Sequence, residues 1–193
     1  MTRLGSLLPT RLSAGEKRFL DLVRQVMETY FGNDIRRIAH AHDVTRHALN
    51  LLQYIDANPL LTLSACYLHD IGIPEAERKY GQCSGKLQEQ EGPPVARQLL
   101  ATIPADEELN IRVCELVGLH HTPAGLDTPE FRVLWDADAL VNLAEVVAGK
   151  QPHEIEKIID RSLVTEPGHR MACEIYLQSR VEPCPHSAVD SGK

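Results

Sequence analysis

Aromatic side chains, positive charge and long apolar runs are all scarce in this chain of 193 residues. Aromatics make up 5% of the sequence. No apolar run approaches the roughly 20 residues of a membrane-spanning helix, so we expect no membrane anchor. Acidic residues outnumber basic ones and give a formal net charge of −7, which argues against a nucleic-acid-binding surface.

The five cysteines are odd in number and include no CxxC pair, so we expect no disulfide framework. Free cysteines are typical of proteins in a reducing compartment, which predicts a cytoplasmic location. Cys66 and Cys114 lie in apolar runs and are expected to be small core residues.

No segment alternates with the period of two that marks a β-strand, whereas apolar residues recur at helical spacing. We therefore predict an all-α fold, a helical bundle of about seven to nine helices. For this length one domain is expected. It would have a flexible N-terminus over residues 1–12, a helical domain over 13–180 with its core at 35–150, and a flexible tail over 181–193.

Capping residues and helix breakers set the expected helix bounds. Ser13 with Glu16 has the spacing of a capping box, and Gly32 is a helix stop. Residues 71–91 are expected to form a long irregular loop, of the kind that often serves as a lid or binding segment. The predicted helices cover about 13–30, 35–57, 60–70, 93–102, 106–120, 129–148, 152–163 and 166–180.

The His69-Asp70 pair is the most informative site in the sequence. It follows the apolar run Leu60–Leu68 and precedes Gly72 and Pro74, which places an imidazole and a carboxylate in the last turn of a buried helix. A buried carboxylate needs a partner, because its desolvation is costly. A divalent metal would satisfy both side chains; the alternative is that the pair caps its own helix.

Several other histidines are candidate partners of this pair. In the second helix, His40 and His47 flank the apolar face, whereas His42 faces the polar side. The helix face on which each side chain lies therefore favours His40 over His42 as a partner of the pair. His120 and His121 end another apolar run beside a proline and form a second candidate pair.

The order of the polar residues resembles the H…HD…D signature of the HD-domain superfamily of metal-dependent phosphohydrolases. The segment 40–48 resembles the first motif, 65–72 the second and 136–140 the last. The resemblance covers roughly residues 35–150 and implies a helical bundle. The stretch 79–94 is similar to that of small stand-alone HD proteins.

Asp136 and Asp138 lie on opposite flanks of an apolar stripe, and periodicity does not choose between them. In the last motif of the family the second aspartate is the ligand. The resemblance therefore assigns Asp138 to the metal and leaves Asp136 a structural or supporting role. The implied metal ligands are His40, His69, Asp70 and Asp138.

One segment departs from the pattern of family members with two metals. Those members have a histidine where this chain reads Gln88–Gly92, and the resemblance therefore favours a single metal. A second ion held by His120 or His121 would need a substitute for that histidine. Glu89 and Glu91 are the candidates.

The expected reaction is hydrolysis of a phosphate ester of a nucleotide or other small phosphorylated metabolite by metal-activated water. Imidazole and carboxylate ligands suit Mn²⁺, Fe²⁺, Co²⁺, Ni²⁺ or Zn²⁺ better than Ca²⁺, and Mg²⁺ is retained as a candidate. Glu75 is the candidate general base and Lys79 the candidate phosphate contact, although solvated loop charges are the alternative for both. The candidate catalytic residues are Asp70, Glu75, Lys79, His120 and His121.

Two other functions stay open on the sequence alone. Some HD proteins are diiron oxygenases, which need two metals and more ligands. A metal-stabilised binding or regulatory module without catalysis is the other. The expected partner is a small phosphorylated substrate, above all a nucleotide, rather than a nucleic-acid polymer or a membrane. A homodimer and the role of residues 150–193 are left open.

Overall fold

In the computed structural model, which describes residues 12–123 and 127–177, every regular element is a helix. The described residues form α1 (Ala14–Phe31), α2 (Ile35–Leu51), α3 (Pro59–Leu68), α4 (Ile73–Tyr80), α5 (Gly85–Leu100), α6 (Glu107–Val117), α7 (Pro129–Val146), α8 (Pro152–Ser162) and α9 (Glu166–Tyr176). The prediction of an all-α bundle is confirmed. None of these helices has the length and apolarity needed to cross a bilayer.

Helix α3 lies at the centre of the bundle, where it contacts α1, α2, α6 and α7. Asn58 caps it through a side-chain oxygen that accepts a hydrogen bond from Leu61 N, and Pro59 suits its first turn. Every residue from Leu61 to Leu68 is buried, because a helix that is apolar on all sides belongs in a core. Its C-terminal end therefore delivers His69 and Asp70 from inside the bundle.

Helices α2 and α7 make the most extensive helix–helix contact in the described structure, and both contact α3. Asp34 and Thr128 cap them, each with a side-chain oxygen that accepts a backbone N–H. The packing of these three helices brings His40, His69 and Asp138 towards one point.

The predicted loop over residues 71–91 is wrong, because most of this segment is helical. Pro74 does not stop a helix but lies in the first turn of α4, where its missing N–H has no helical partner to lose. Ile73 and Ala76 are buried on one face of this short helix. A left-handed glycine, Gly81 with φ of 68°, ends it.

The predicted helix start at Pro93-Pro94 is also wrong, because both prolines lie inside α5. A proline disfavours the helical conformation of the residue before it, so the sequence indicates a boundary there. Tertiary packing outweighs that preference, since Glu91 and Gly92 are buried. A Cβ atom on Gly72 would lie 2.5 Å from Gly92 N, so the two backbones meet at a contact that only glycine allows.

Several helices end earlier than predicted. Helix α3 ends at Leu68, so His69 is its C-cap residue and Asp70 lies in the turn beyond it rather than in its last turn. Helix α2 ends at Leu51 rather than near residue 57, and turn hydrogen bonds from Gln53 N to Asn50 O and from Tyr54 N to Leu51 O replace the helical ones. Helix α6 ends at Val117, so the His120-His121 pair lies beyond it. The predicted flexible ends fall mostly on residues 1–11 and 178–193, outside the described residues.

The turn between α8 and α9 is attached to α7 through Asp136. Its carboxylate accepts hydrogen bonds from Val164 N at 2.8 Å, from Thr165 N at 3.0 Å and from the Thr165 hydroxyl. Trp135 Nε1 donates to Ser162 O at 2.9 Å. These contacts hold the end of α8 against α7, on the flank of α7 opposite to Asp138.

Candidate metal centre

Four side chains converge at the C-terminal end of α3. His40 Nε2 lies 3.2 Å from His69 Nε2, 3.0 Å from Asp138 Oδ1 and 3.5 Å from Asp70 Oδ2. His69 Nε2 lies 3.3 Å from Asp70 Oδ2 and 3.5 Å from Asp138 Oδ1. The His69 side chain is buried, whereas the other three are 17–20% exposed, so the cluster is open to solvent on one side.

These separations match neighbouring ligands of one metal ion. Ligand atoms about 2.0–2.2 Å from an ion stand about 2.8–3.6 Å apart at right or tetrahedral angles. All five distances above fall in that interval, and ligand atoms of His40, His69 and Asp70 form one close group. The lone pairs of two imidazole nitrogens and the negative charges of two carboxylates lie close together here, and a cation between them would stabilise this arrangement. The residues present therefore fit a divalent cation.

Hydrogen bonds behind the cluster orient two of its members. His69 Nδ1 lies 2.9 Å from Cys66 O, and since a carbonyl can only accept, Nδ1 carries the proton. In the neutral ring, Nε2 then presents its lone pair to the cluster. A backbone carbonyl behind the ring is typical of metal-binding histidines. Asn142 Nδ2 donates to Asp138 Oδ2 at 2.9 Å, which leaves Oδ1 for the cluster.

The cluster is electrostatically prepared for a cation. Burial disfavours a charged His69, but the carboxylates of Asp70 and Asp138 outweigh it and hold the pKa of His69 well above its usual value. Burial likewise opposes ionisation of Asp70, but His69 and His120 outweigh it and hold the pKa of Asp70 well below its usual value. The pKa of Asp138 is lowered in the same way by His40 and His69.

His120 is a fifth possible metal ligand, next to the four side chains of the cluster. Its Nδ1 donates to Val117 O at 2.7 Å, and its Nε2 is buried with no hydrogen-bond partner in the described structure, 3.6 Å from Asp70 Oδ1. Ligand atoms of Asp70, His120 and His121 form a second close group that shares Asp70 with the first. His120 therefore points into the site.

Gln88, in the segment that departs from the two-metal pattern, contacts this second group. Its Oε1 lies 3.0 Å from His121 Nε2. The Glu89 carboxylate accepts hydrogen bonds from His121 N and from the Thr122 hydroxyl, both at 3.0 Å. Glu91 instead accepts from Lys79 and a tyrosine hydroxyl. The two glutamates that were candidate substitutes for a histidine thus have other partners.

Glu75 and Lys79 lie together in a charged group on α4. Glu75 accepts hydrogen bonds from Arg78 at 2.6 and 2.8 Å and lies 3.2 Å from Lys79 Nζ, which donates to Glu91 at 2.6 Å. Hydrogen bonds from Arg78 and Lys79, against a smaller effect of burial, lower the pKa of Glu75 to about 2. With so low a pKa, Glu75 is a weak base at neutral pH. Its ion-pair partners, Arg78 and Lys79, are on α4 and not in the cluster. The catalytic roles of Glu75 and Lys79 stay predictions.

The remaining sequence candidates lie away from the cluster contacts. His42 Nε2 pairs with Glu28 of α1 at 2.8 Å. His47 is buried on α2, where its Nδ1 has no hydrogen-bond partner. Asp136 holds the turn before α9, as described above. Asp138, the second aspartate of the triplet, is the one that reaches His40 and His69.

A cleft with a volume of about 640 Å³ opens from the cluster. Its walls include polar residues that the sequence analysis missed, namely Arg36, Arg37, Gln88 and Asn142. Helical spacing contained a signal for three of them. Arg36 and Arg37 precede His40 by four and three positions, and Asn142 follows Asp138 by four, so each lies on the same helix face as a ligand.

The fold and the cluster define a helical protein with a candidate metal centre. The family model of the HD domain matches residues 37–143, more than half of the chain, and the chain therefore belongs to the HD-domain family. A crystal structure of a predicted HD superfamily hydrolase from an uncultured Thermotogales bacterium is similar in fold, with a TM-score of 0.56 and 24% identity over 91% of each chain. Among curated proteins, none matches this chain significantly.

Proposed function

We propose that this protein is a metal-dependent phosphohydrolase that acts on a phosphate ester of a nucleotide or another small phosphorylated metabolite. The observation that carries the proposal is the cluster of His40, His69, Asp70 and Asp138 at the floor of an open cleft. Membership in the HD-domain family and the hydrolase name of the Thermotogales protein support it.

The charges of the cleft explain why such a reaction would need a metal. Five carboxylates line it, from Asp34, Asp43, Asp70, Asp138 and Glu145, against two guanidinium groups, from Arg36 and Arg37. A phosphate dianion would be repelled by this excess of negative charge. A divalent cation held by the cluster would neutralise the carboxylates of Asp70 and Asp138 and would offer a phosphoryl oxygen a local positive centre at the floor of the cleft.

A bound divalent ion would lower the pKa of a coordinated water and polarise a phosphoryl oxygen. Arg36 and Arg37 line the cleft beside the cluster, where they face Glu145, Asp34 and Glu77. To contact the other phosphate oxygens, either guanidinium would exchange a carboxylate partner for the phosphate. His120 Nε2, which has no partner in the described structure, is placed to hold a proton for the leaving oxygen.

Phosphate release from a panel of nucleotides and sugar phosphates, with Mn²⁺, Co²⁺ or Ni²⁺ added, tests the proposal. We expect release from at least one compound, its loss with a chelator, and its loss in Asp138→Ala. The matched control is Asp160→Ala, because Asp160 is exposed on α8 and lines neither described cleft. Metal-independent release, or no release from any compound by metal-loaded protein, would contradict the proposal.

The second close group of Asp70, His120 and His121 favours one alternative, a two-metal site of the diiron oxygenase kind. Asp70 belongs to both groups, so its carboxylate could bridge two ions. A content near two irons per chain, with oxygen uptake in the reduced protein, would establish this alternative. A binding module without catalysis predicts a third result, in which His69→Ala lowers thermal stability and no substrate is turned over.

A further inference from the structure

A second pocket, of about 340 Å³, lies between α7 and the end of α8 and meets the metal centre at His120 and Asp138. We refer to it as the α7–α8 pocket. Trp135, Leu143 and Val146 contribute an apolar wall. Val146 is 49% exposed and lies at the open side of this wall.

The wall of this pocket is held in a fixed position. Trp135 Nε1 donates to Ser162 O, which ties the indole ring to the last residue of α8. The Asp136 carboxylate binds the backbone of the turn that follows. Both contacts are made by α7, one residue apart, so the apolar wall and the end of α8 move as one unit. Because the pocket is already formed, ligand binding does not have to order its side chains and so costs less conformational entropy.

Arg161 supplies the positive charge of the pocket, and Asp138 of the metal centre supplies a negative one. Its side chain is exposed in the last turn of α8 and lines the pocket. Within the described residues no hydrogen bond or ion pair engages its guanidinium. By contrast, Arg36 of the larger cleft lies 3.6 Å from Glu145, and Arg37 pairs with Asp34 and Glu77. The α7–α8 pocket thus offers a free cation.

We infer that the α7–α8 pocket binds the leaving group of the substrate, and that this group carries a flat apolar ring and a second anionic substituent. The ring would lie in the apolar part beside Trp135, and the anion would pair with Arg161. The volume suits a group of about nucleoside size, since small-molecule pockets start at about 300 Å³. Arg161 and Ser162 lie outside the residues matched by the HD-domain family model, so the cationic side of the pocket is not part of the shared motif. This inference rests on the proposed function.

Two probes that differ by one phosphate test it in the metal-loaded enzyme: adenosine 5′-monophosphate and adenosine 3′,5′-bisphosphate. The wild type is expected to prefer the bisphosphate in kcat/KM for release of the 5′-phosphate. Arg161→Gln should lower kcat/KM for the bisphosphate about tenfold more than for the monophosphate, mainly through KM, which is the scale of one charge-assisted hydrogen bond at a partly exposed site. Arg161→Lys should keep part of the preference.

The matched control is Arg18→Gln, which removes an exposed guanidinium from α1 that lines neither cleft. It should leave the preference unchanged. If the wild type hydrolyses both probes and Arg161→Gln keeps the wild-type ratio, the inference is wrong while the proposed function stands.

A binding measurement separates the inference from the proposed function. Trp135 is the only tryptophan in the chain, so intrinsic tryptophan fluorescence reports on this pocket. The leaving group alone, adenosine 3′-monophosphate, has no 5′-phosphate to lie against the cluster carboxylates. It should change that fluorescence in chelator-treated protein as well as in metal-loaded protein, with a Kd about tenfold higher in Arg161→Gln. This result would support the pocket even if no phosphate were released. An unchanged signal, or an equal Kd in the two proteins, would overturn the inference.

Discussion

Substitutions of the two aspartates in the Asp136-Ala137-Asp138 triplet are predicted to differ in one property. The rise in Tm on metal binding should depend on Asp138 and not on Asp136. Asp136 is fully buried and accepts hydrogen bonds from two backbone N–H groups and one hydroxyl of the turn before α9. In Asp136→Ala those donors lose their acceptor, and each unsatisfied donor costs about 1–3 kcal/mol. Burial raises the pKa of Asp136 against the effect of these bonds, so relief of carboxylate desolvation offsets part of the loss.

We therefore expect Asp136→Ala to lower the free energy of unfolding by about 3 kcal/mol. For a chain of this size that corresponds to a fall in Tm of about 6–12 °C. Asp138→Asn keeps the size of the side chain at a partly open site, but it removes the carboxylate that attracts His40 and His69, so a fall in the Tm of metal-free protein is expected here as well. This variant should also remove the rise in Tm that added Mn²⁺ or Zn²⁺ produces in the wild type.

Thermal unfolding of the wild type and both variants, each with a chelator and with added metal, measures all of these quantities. In Asp136→Ala the Tm should fall under both conditions, while the metal-induced rise persists. The reasoning would be refuted if Asp136→Ala left the Tm unchanged. It would also be refuted if the metal-induced rise disappeared in Asp136→Ala and persisted in Asp138→Asn.

Two further predictions concern stability away from the cluster. Burial, with a contribution from Arg46, lowers the pKa of His47 to about 4, so the unfolded chain binds a proton at His47 before the folded one does. The free energy of unfolding should therefore fall as the pH drops from about 6.5 towards 4. In His47→Leu, urea unfolding should show that this fall between pH 7 and 4.5 is smaller by about 2 kcal/mol. Gly72→Ala would place a Cβ atom against the backbone of α5 and should cost about 1–3 kcal/mol, measured by the same method. The control Gly15→Ala has free space and should be neutral or stabilising; equal effects of the two would contradict the close packing.

Local signals in the sequence were sufficient for much of the fold. The capping box of Ser13 and Glu16 and the cap at Asp34 act over three residues, so they can be read without tertiary information, and the structure forms both. The apolar run before His69 predicts a buried helix because no side of it suits water. The choice of Asp138 over Asp136 was available only through the family resemblance.

Tertiary packing explains what the sequence did not predict. Pro93 and Pro94 were interpreted as a helix start, yet both lie inside α5, next to the close contact of Gly92 with Gly72 that packs α5 against the start of α4. Pro74 was interpreted as a helix stop, yet it begins α4. A contact between residues twenty positions apart, such as Gly72 and Gly92, cannot be predicted from a local sequence pattern. The placement of Arg161 beside the metal centre depends on the Asp136 contacts in the same way.

Metal content per chain tests the central claim most directly. Elemental analysis of protein purified without a chelator is expected to find about one transition metal per chain in the wild type, held by His40, His69, Asp70 and Asp138. Asp138→Ala should lose it, while the control Asp160→Ala should keep it. An equal metal content in wild type and Asp138→Ala, or no metal in the wild type even after soaking with Mn²⁺ and Zn²⁺, would contradict the account.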